Sequence, residues 1–190
     1  MARPEKQSDQ QIRQAALVAF RRDGYADTSL AKLEAATQLG RRSLFNRYGD
    51  KKGLFVRALK DFAYQAAATY LAPLAAEDAG LDALADTLRG LARAGATAEG
   101  RAGCLICNTA REPIAADPEI AAVLTGYFRR IETGAQAALT RAHVATADRL
   151  ACFFLAQIVA LCVLARAGAD EETLNTVAEE AIRHLTGARP

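Results

Sequence analysis

From Ile12 onward, Ala15, Ala16, Ala19 and Phe20 recur at helical spacing, with Leu17 beside them and Arg13, Arg21 and Arg22 on other faces. Asp23-Gly24 is a helix stop, and Tyr25 follows as an apolar plug. Thr28 or Ser29 then caps a second short helix, whose Leu30, Leu33, Ala36 and Leu39 face inward. A turn over residues 38–40 leads to a third helix with Leu44, Phe45 and Tyr48 on its inner face. Arg41, Arg42, Asn46 and Arg47 crowd the rest of that helix. Gly49-Asp50 breaks and recaps the chain, and Leu54, Phe55, Ala58, Leu59 and Phe62 carry a fourth helix to about Tyr70, where Pro73 ends it.

The helical period continues to the C-terminus. Leu81, Leu84, Leu88 and Leu91 form one stripe, and residues 95–103 are a connector of small residues. Residues 104–114 read as a sixth helical segment of mixed polarity. Asp117-Pro118 starts a long helix to about Ala142, as an N-cap followed by proline in the first turn. Thr146 or Asp148 starts an apolar helix that ends near Arg166 with Gly168 as its cap. Asp170 starts the last one, with Leu174, Val177, Ala181, Ile182 and Leu185 on one side. No alternating strand run or internal repeat interrupts this order. The expected class is all-α, with about nine helices.

Composition sharpens the picture at one end. Residues 1–60 hold 13 basic side chains against 6 acidic ones, whereas residues 61–190 hold 11 against 16, and every lysine lies in the first segment. A basic N-terminal third on an acidic body implies a polyanionic partner for that end alone. The polar run over residues 1–14 has no signal-peptide pattern. The most apolar stretch, residues 150–165, contains Gln157 and is shorter than the roughly 20 residues that span a bilayer, so it is read as a helix buried within or between subunits. Four cysteines in 190 residues lack the density of a secreted disulfide scaffold, which implies a reducing cytoplasm.

Two short helices around a tight turn, the second rich in arginine, put guanidinium and amide groups on a rod narrow enough for a DNA major groove. The order Ile12, Ala15-Ala16, Phe20, Gly24-Tyr25, Thr28-Ser29, Leu33, Leu39, Ser43-Leu44-Phe45, Tyr48, Lys51, Leu54-Phe55 resembles the N-terminal domain of the TetR family of transcriptional repressors. That resemblance implies a helix-turn-helix DNA-binding domain over residues 1–50. It also implies a ligand-binding and dimerisation domain over 51–190, a homodimer, and release of a palindromic double-stranded operator when a small molecule binds. Thr28, Arg41, Arg42, Ser43, Asn46, Arg47, Tyr48 and Lys51 are the expected DNA contacts. Arginine pairs with guanine or phosphate and asparagine reads adenine, while Thr28 and Lys51 sit at helix starts that favour phosphate. The chain departs from the family pattern at Gln38, Gly40, Arg42 and Glu34, and Phe45 lacks the hydroxyl of the tyrosine often found there.

Gly103-Cys104-Leu105-Ile106-Cys107-Asn108, with Glu112 beyond, is similar to a motif in a TetR subgroup that includes electrophile-responsive repressors. Two readings compete for Cys104: inert packing as a small hydrophobe, and sensing by a thiolate near a helix start. Packing is the leading reading for Cys107, Cys152 and Cys162. A four-cysteine zinc site fits poorly, because nine residues separate the second pair. Cys104, Asn108, Arg111, Phe128 and Gln157 are the candidate cavity residues, as orienting polar groups and an apolar wall in an otherwise apolar region. No phosphate loop, metal-ligand cluster or nucleophile elbow is present, so neither catalysis, a metal nor a cofactor is expected. The last two helices are the expected dimer bundle. Two alternatives stay open, a helical thiol or redox protein using Cys104 and Cys107, and a constitutive DNA-binding protein without a ligand.

Overall fold

A computed structural model describes residues 8–187; the polar run read over residues 1–14 lies partly outside them. Nine α-helices and no strand occur among the described residues. The first, α1, spans Asp9–Asp27 and opens with a reciprocal cap, in which the Gln11 N–H donates to Ser8 Oγ and the Ser8 N–H donates to the Gln11 side chain. It breaks at Gly24, whose φ of 83° and ψ of 172° suit glycine alone. Ser29, not Thr28, caps α2 (Leu30–Thr37) by accepting the Lys32 N–H. Gln38 takes the left-handed conformation that ends α2, and Gly40 precedes α3 (Arg41–Tyr48). The Asp50 carboxylate accepts the Gly53 N–H at 2.7 Å to start α4 (Lys51–Tyr70).

The body follows as α5 (Leu81–Gly95), α6 (Leu105–Thr109), α7 (Pro118–Arg141), α8 (Ala147–Arg166) and α9 (Glu171–Gly187). Asp117 caps α7 and Asp170 caps α9 through the Thr173 N–H at 2.8 Å. Helices α5, α8 and α9 pack on one another, α7 lies along α8, and α4 touches both α1 and α7. The short α6 sits among α1, α4 and α8. One buried apolar cluster runs from Ile12 through Phe20, Leu33, Phe55, Leu88, Ile120 and Phe154 to Leu185. Where α4 meets the N-terminal helices, which form the head of the molecule, Phe55 meets Phe20 edge-on at 4.8 Å and Tyr25 at 4.9 Å, a trio that pins α1 to α4 on either side of the Gly24 break.

Three sequence expectations change. Residues 104–114 are not one helix: α6 ends after a turn and a half, and Pro113 opens a separate 3₁₀ segment, Pro113–Ala116. Ala36 is exposed while Thr37, one turn beyond Leu33, is buried. A helix of only eight residues presents a narrow inward face, and that face follows the 33/37 pair. Finally, α8 is 20 residues long with a mean hydropathy of 1.9 in its most apolar window, enough by length and composition to cross a membrane. Only 28% of that window is buried within the subunit. Cys152, Ala156 and Val163 lie exposed along it, flanked by the half-buried Phe153, Val159 and Ala160.

Candidate nucleic-acid interface and adjoining cavity

Helix α3 is anchored through two side chains. Leu44 and Tyr48 are buried one turn apart, leaving Arg41, Arg42, Ser43, Asn46 and Arg47 exposed around the remaining circumference. Gly40 supplies no side-chain cap; the Glu34 carboxylate on α2 accepts the Arg41 N–H instead. The Arg41 guanidinium lies 5.2 Å from the centre of the Phe45 ring, so this phenyl group positions a cation. At the start of α4, Lys51 Nζ donates to the Ala26 carbonyl at 3.3 Å and stands 4.5 Å from the centre of the Tyr25 ring. Partial burial holds its pKa below the usual lysine value.

Two of the expected DNA contacts, Thr28 and Tyr48, lie buried. Thr28 is fully buried, and its hydroxyl donates back to the Gly24 carbonyl. It closes the turn between α1 and α2, and its hydroxyl does not reach the surface. Tyr48 is 8% exposed, and its hydroxyl donates to Asp9 Oδ1 at 2.6 Å. Burial, and then this hydrogen bond to a carboxylate, push the Tyr48 pKa up to about 12, while the same bond lowers that of Asp9. Tyr48 therefore ties α3 to α1 and belongs to the support of the exposed face.

A cavity of about 620 Å³ lies behind the head, between α1, α4 and the body. Leu17, Phe62, Tyr127, Phe128, Ile158 and Leu161 give it apolar walls, and Arg21 and Gln14 reach its rim. Of the candidate cavity residues, Cys104 and Phe128 line it, whereas Asn108, Arg111 and Gln157 do not. Asn108 Nδ2 is spent on the Ala102 carbonyl at 3.1 Å, and Arg111 projects into solvent. A polar residue in an apolar stretch marks an outward position as readily as a cavity position, which is why the pattern misplaced them.

Cys162 is the residue the sequence passed over. Its sulfur and those of Cys104 and Cys107 all lie within 4.8 Å of one another, across α6 and α8, on the cavity wall. Local spacing could not reveal this group, because Cys162 stands 55 positions from Cys107. Cys152 is apart from the cluster, exposed on α8. The Cys107 and Cys162 thiols interact with the Cys104 sulfur and hold its pKa well below the ordinary thiol value; their own pKa values are driven up beside it.

Cavity and head are joined by polar links. Arg21 Nε donates to the Gly103 carbonyl at 2.6 Å, and Arg166 reaches the carbonyls of Ala102, Arg21 and Arg22. The two oxygens of Glu112 accept the backbone N–H groups of Tyr25 and Ala26, each at 3.0 Å. Lys52 pairs with Asp117 at 2.9 Å.

Comparison with known proteins agrees with this geometry. The family described as the C-terminal domain of LmrA/YxaF-like transcriptional regulators matches residues 80–180. An uncharacterized helix-turn-helix transcriptional regulator, YezE of Bacillus subtilis (strain 168), is 31% identical over 127 residues, covering 67% of this chain and 66% of its own. The helix-turn-helix transcriptional repressor BdcR of Escherichia coli (strain K12) is 27% identical over 96% of this chain and 93% of its own. Among solved structures, a cysteine mutant of the TetR family regulator CifR, complexed with 26 bp double-strand operator DNA, superposes with a TM-score of 0.82 at 25% identity, covering 95% of this chain and 98% of that one. A TetR regulator from Chloroflexus aurantiacus J-10-FL shares the fold with a TM-score of 0.80 at 21% identity, over 93% and 95%. With more than half of its length matched by the LmrA/YxaF-like domain and its head built as a helix-turn-helix, this chain belongs to the TetR family of transcriptional regulators.

Proposed function

We propose that the chain is a ligand-responsive repressor that works as a homodimer and leaves a palindromic operator when a small molecule enters the cavity behind its head. The observation that carries this reading is the exposure of Arg41, Arg42, Ser43, Asn46 and Arg47 together on a helix fixed from behind by Leu44 and Tyr48. In it, Arg42 and Asn46 contact base edges, Arg41 and Arg47 contact bases or phosphates, and Lys51 contacts the backbone beside them. Residues 1–50 act as the DNA-binding domain and 51–190 as the effector and dimerisation domain. The operator complexes of CifR support a duplex as the partner.

The outward apolar face of α8 supports the dimer, since a helix this apolar and this little buried needs a second surface. With α9 and the symmetry mates it makes a four-helix bundle, placing two reading heads on one two-fold axis. Cys104 and Phe128 serve in the effector site. The effector favours a conformation whose heads are wrongly spaced, so release is a difference in its affinity for two states. Cytoplasmic residence and the absence of catalysis belong to this reading; the regulator relatives support both.

Arg42→Ala and Asn46→Ala test it, with affinity measured at one fixed salt concentration on palindromic duplexes from the regions flanking the gene. Each loss is expected to weaken binding by about 1–3 kcal/mol without unfolding the chain. Unchanged affinity in both variants removes α3 as the reader.

A further inference from the structure

We propose that Cys104, Cys107 and Cys162 together form a three-thiolate site for a trivalent thiophilic metalloid, arsenic(III) being the type case. Three sulfurs converge on one point of the cavity wall, all within 4.8 Å of one another, with no histidine or carboxylate among them. Thiolate is the donor that soft ions select. Bonds as long as zinc–sulfur bonds, about 2.3 Å, at the narrow angles of a pyramidal centre would set the sulfurs roughly 3.5 Å apart, so the three need to contract by about 1.3 Å at most.

Charge and coordination number decide between ions. A divalent ion held by three thiolates keeps a net negative charge, which Arg21 on the same cavity offsets only in part, and it keeps an open fourth position beside the apolar side chains of Ile158 and Leu161. A trivalent metalloid makes a neutral tris-thiolate whose lone pair fills the fourth corner. The condensation of arsenous acid breaks three As–O bonds and forms three As–S bonds. Each thiol proton leaves with a hydroxide as water, and no oxidation state changes.

Occupancy would draw α6 toward α8. Gly103, adjacent to Cys104, accepts the Arg21 side chain from α1, and Arg166, one turn beyond Cys162, binds the Arg21 and Arg22 carbonyls. A contraction at sulfur therefore pulls on the helix that enters the head. This consequence rests on the ligand-responsive reading above; the binding site itself does not.

The decisive experiment titrates the full-length protein with arsenite under a phosphine reductant and records its native mass and near-ultraviolet sulfur-to-arsenic absorption. One arsenic per chain with the loss of three hydrogens is expected. Cys104→Ser, Cys107→Ser and Cys162→Ser should each weaken binding by more than the ~10–100-fold that losing a supporting partner costs, with Cys152→Ser unchanged. Circular dichroism and operator binding without arsenite certify each variant as folded, and the wild-type mass decides alone should a variant fail to fold. A retained hydroxyl, no bound arsenic, full affinity in Cys162→Ser, or saturation of the same thiols by Zn²⁺ where arsenite fails overturns the proposal. Arsenite bound through three sulfurs without operator release leaves the site standing and removes ligand response. Release by another compound with no arsenite binding does the reverse.

Discussion

The carboxylate of Glu112 accepts the backbone N–H of Tyr25 at 3.0 Å across 87 positions of sequence, and its second oxygen takes the Ala26 N–H at the same distance. These donors lie just past the Gly24 break, where the helix that enters the head changes direction. One side chain beside the cavity wall thus satisfies two backbone groups that the break releases from α1. Glu112→Ala should lower stability by about 2 kcal/mol, the scale of hydrogen bonds to a charged acceptor. Glu112→Gln, which keeps the shape, should lose less. Urea midpoints of the three proteins check the order, and an alanine variant as stable as wild type would mean that water replaces the carboxylate.

Gly24 is the other half of that joint. Its φ of 83° lies where side chains are strained, and a Cβ there would stand 3.0 Å from Glu112 Oε1. Gly24→Ala is expected to cost on the order of 1–3 kcal/mol. The Gly24→Ala/Glu112→Ala double variant should cost less than the two single losses combined, because deleting the carboxylate removes the clash while the backbone strain stays. Additive losses would show that the contact carries none of the cost.

The starts of α4, α7 and α9 were legible because each is set by a residue next to it in sequence. Asp50, Asp117 and Asp170 act as caps where the pattern placed them, and the Leu44/Tyr48 pair turns the arginines of α3 outward. Thr28 and Ser29 are adjacent hydroxyls, and only the break at Gly24 decides which one turns back to the Gly24 carbonyl and which one caps α2. Asp9, which holds the Tyr48 hydroxyl, lies 39 positions away and is out of reach of any local pattern. Cys162 looked like packing for the same reason. Long-range pairing, and not local propensity, sets both roles.

The turn between α2 and α3 carries a strain that one substitution relieves. Gln38 holds φ at 53°, a conformation that costs an L-residue roughly 1–2 kcal/mol and glycine almost nothing. Its side chain is exposed. Gln38→Gly is expected to raise stability by up to about 1 kcal/mol, the relief being partly offset by the freer unfolded chain. A higher urea midpoint at unchanged slope, with operator affinity retained, is the expected result; a lower midpoint would mean that the turn is not strained.

The bond between Tyr48 and Asp9 makes the anchoring of α3 sensitive to alkali. The phenol has a folded pKa of about 12 against an ordinary value of 10.0, raised first by burial and then by the carboxylate it donates to. A raised folded pKa means that the native state holds the proton more tightly than the unfolded chain. The stabilisation is therefore complete below pH 10 and is lost as pH climbs from about 10 to about 12. Tyr48→Phe removes both the bond and the titration. At neutral pH it should cost about 1 kcal/mol, kept modest because Asp9 is half exposed. The stability gap between wild type and variant should then hold steady up to pH 10 and close above it. Tyr25, also pushed up by burial, titrates in both proteins and cancels in the difference. Chemical denaturation of the pair at several pH values reads this directly, and a gap that stays constant through pH 12 would show that the hydroxyl's burial and its bond to Asp9 do not govern the titration.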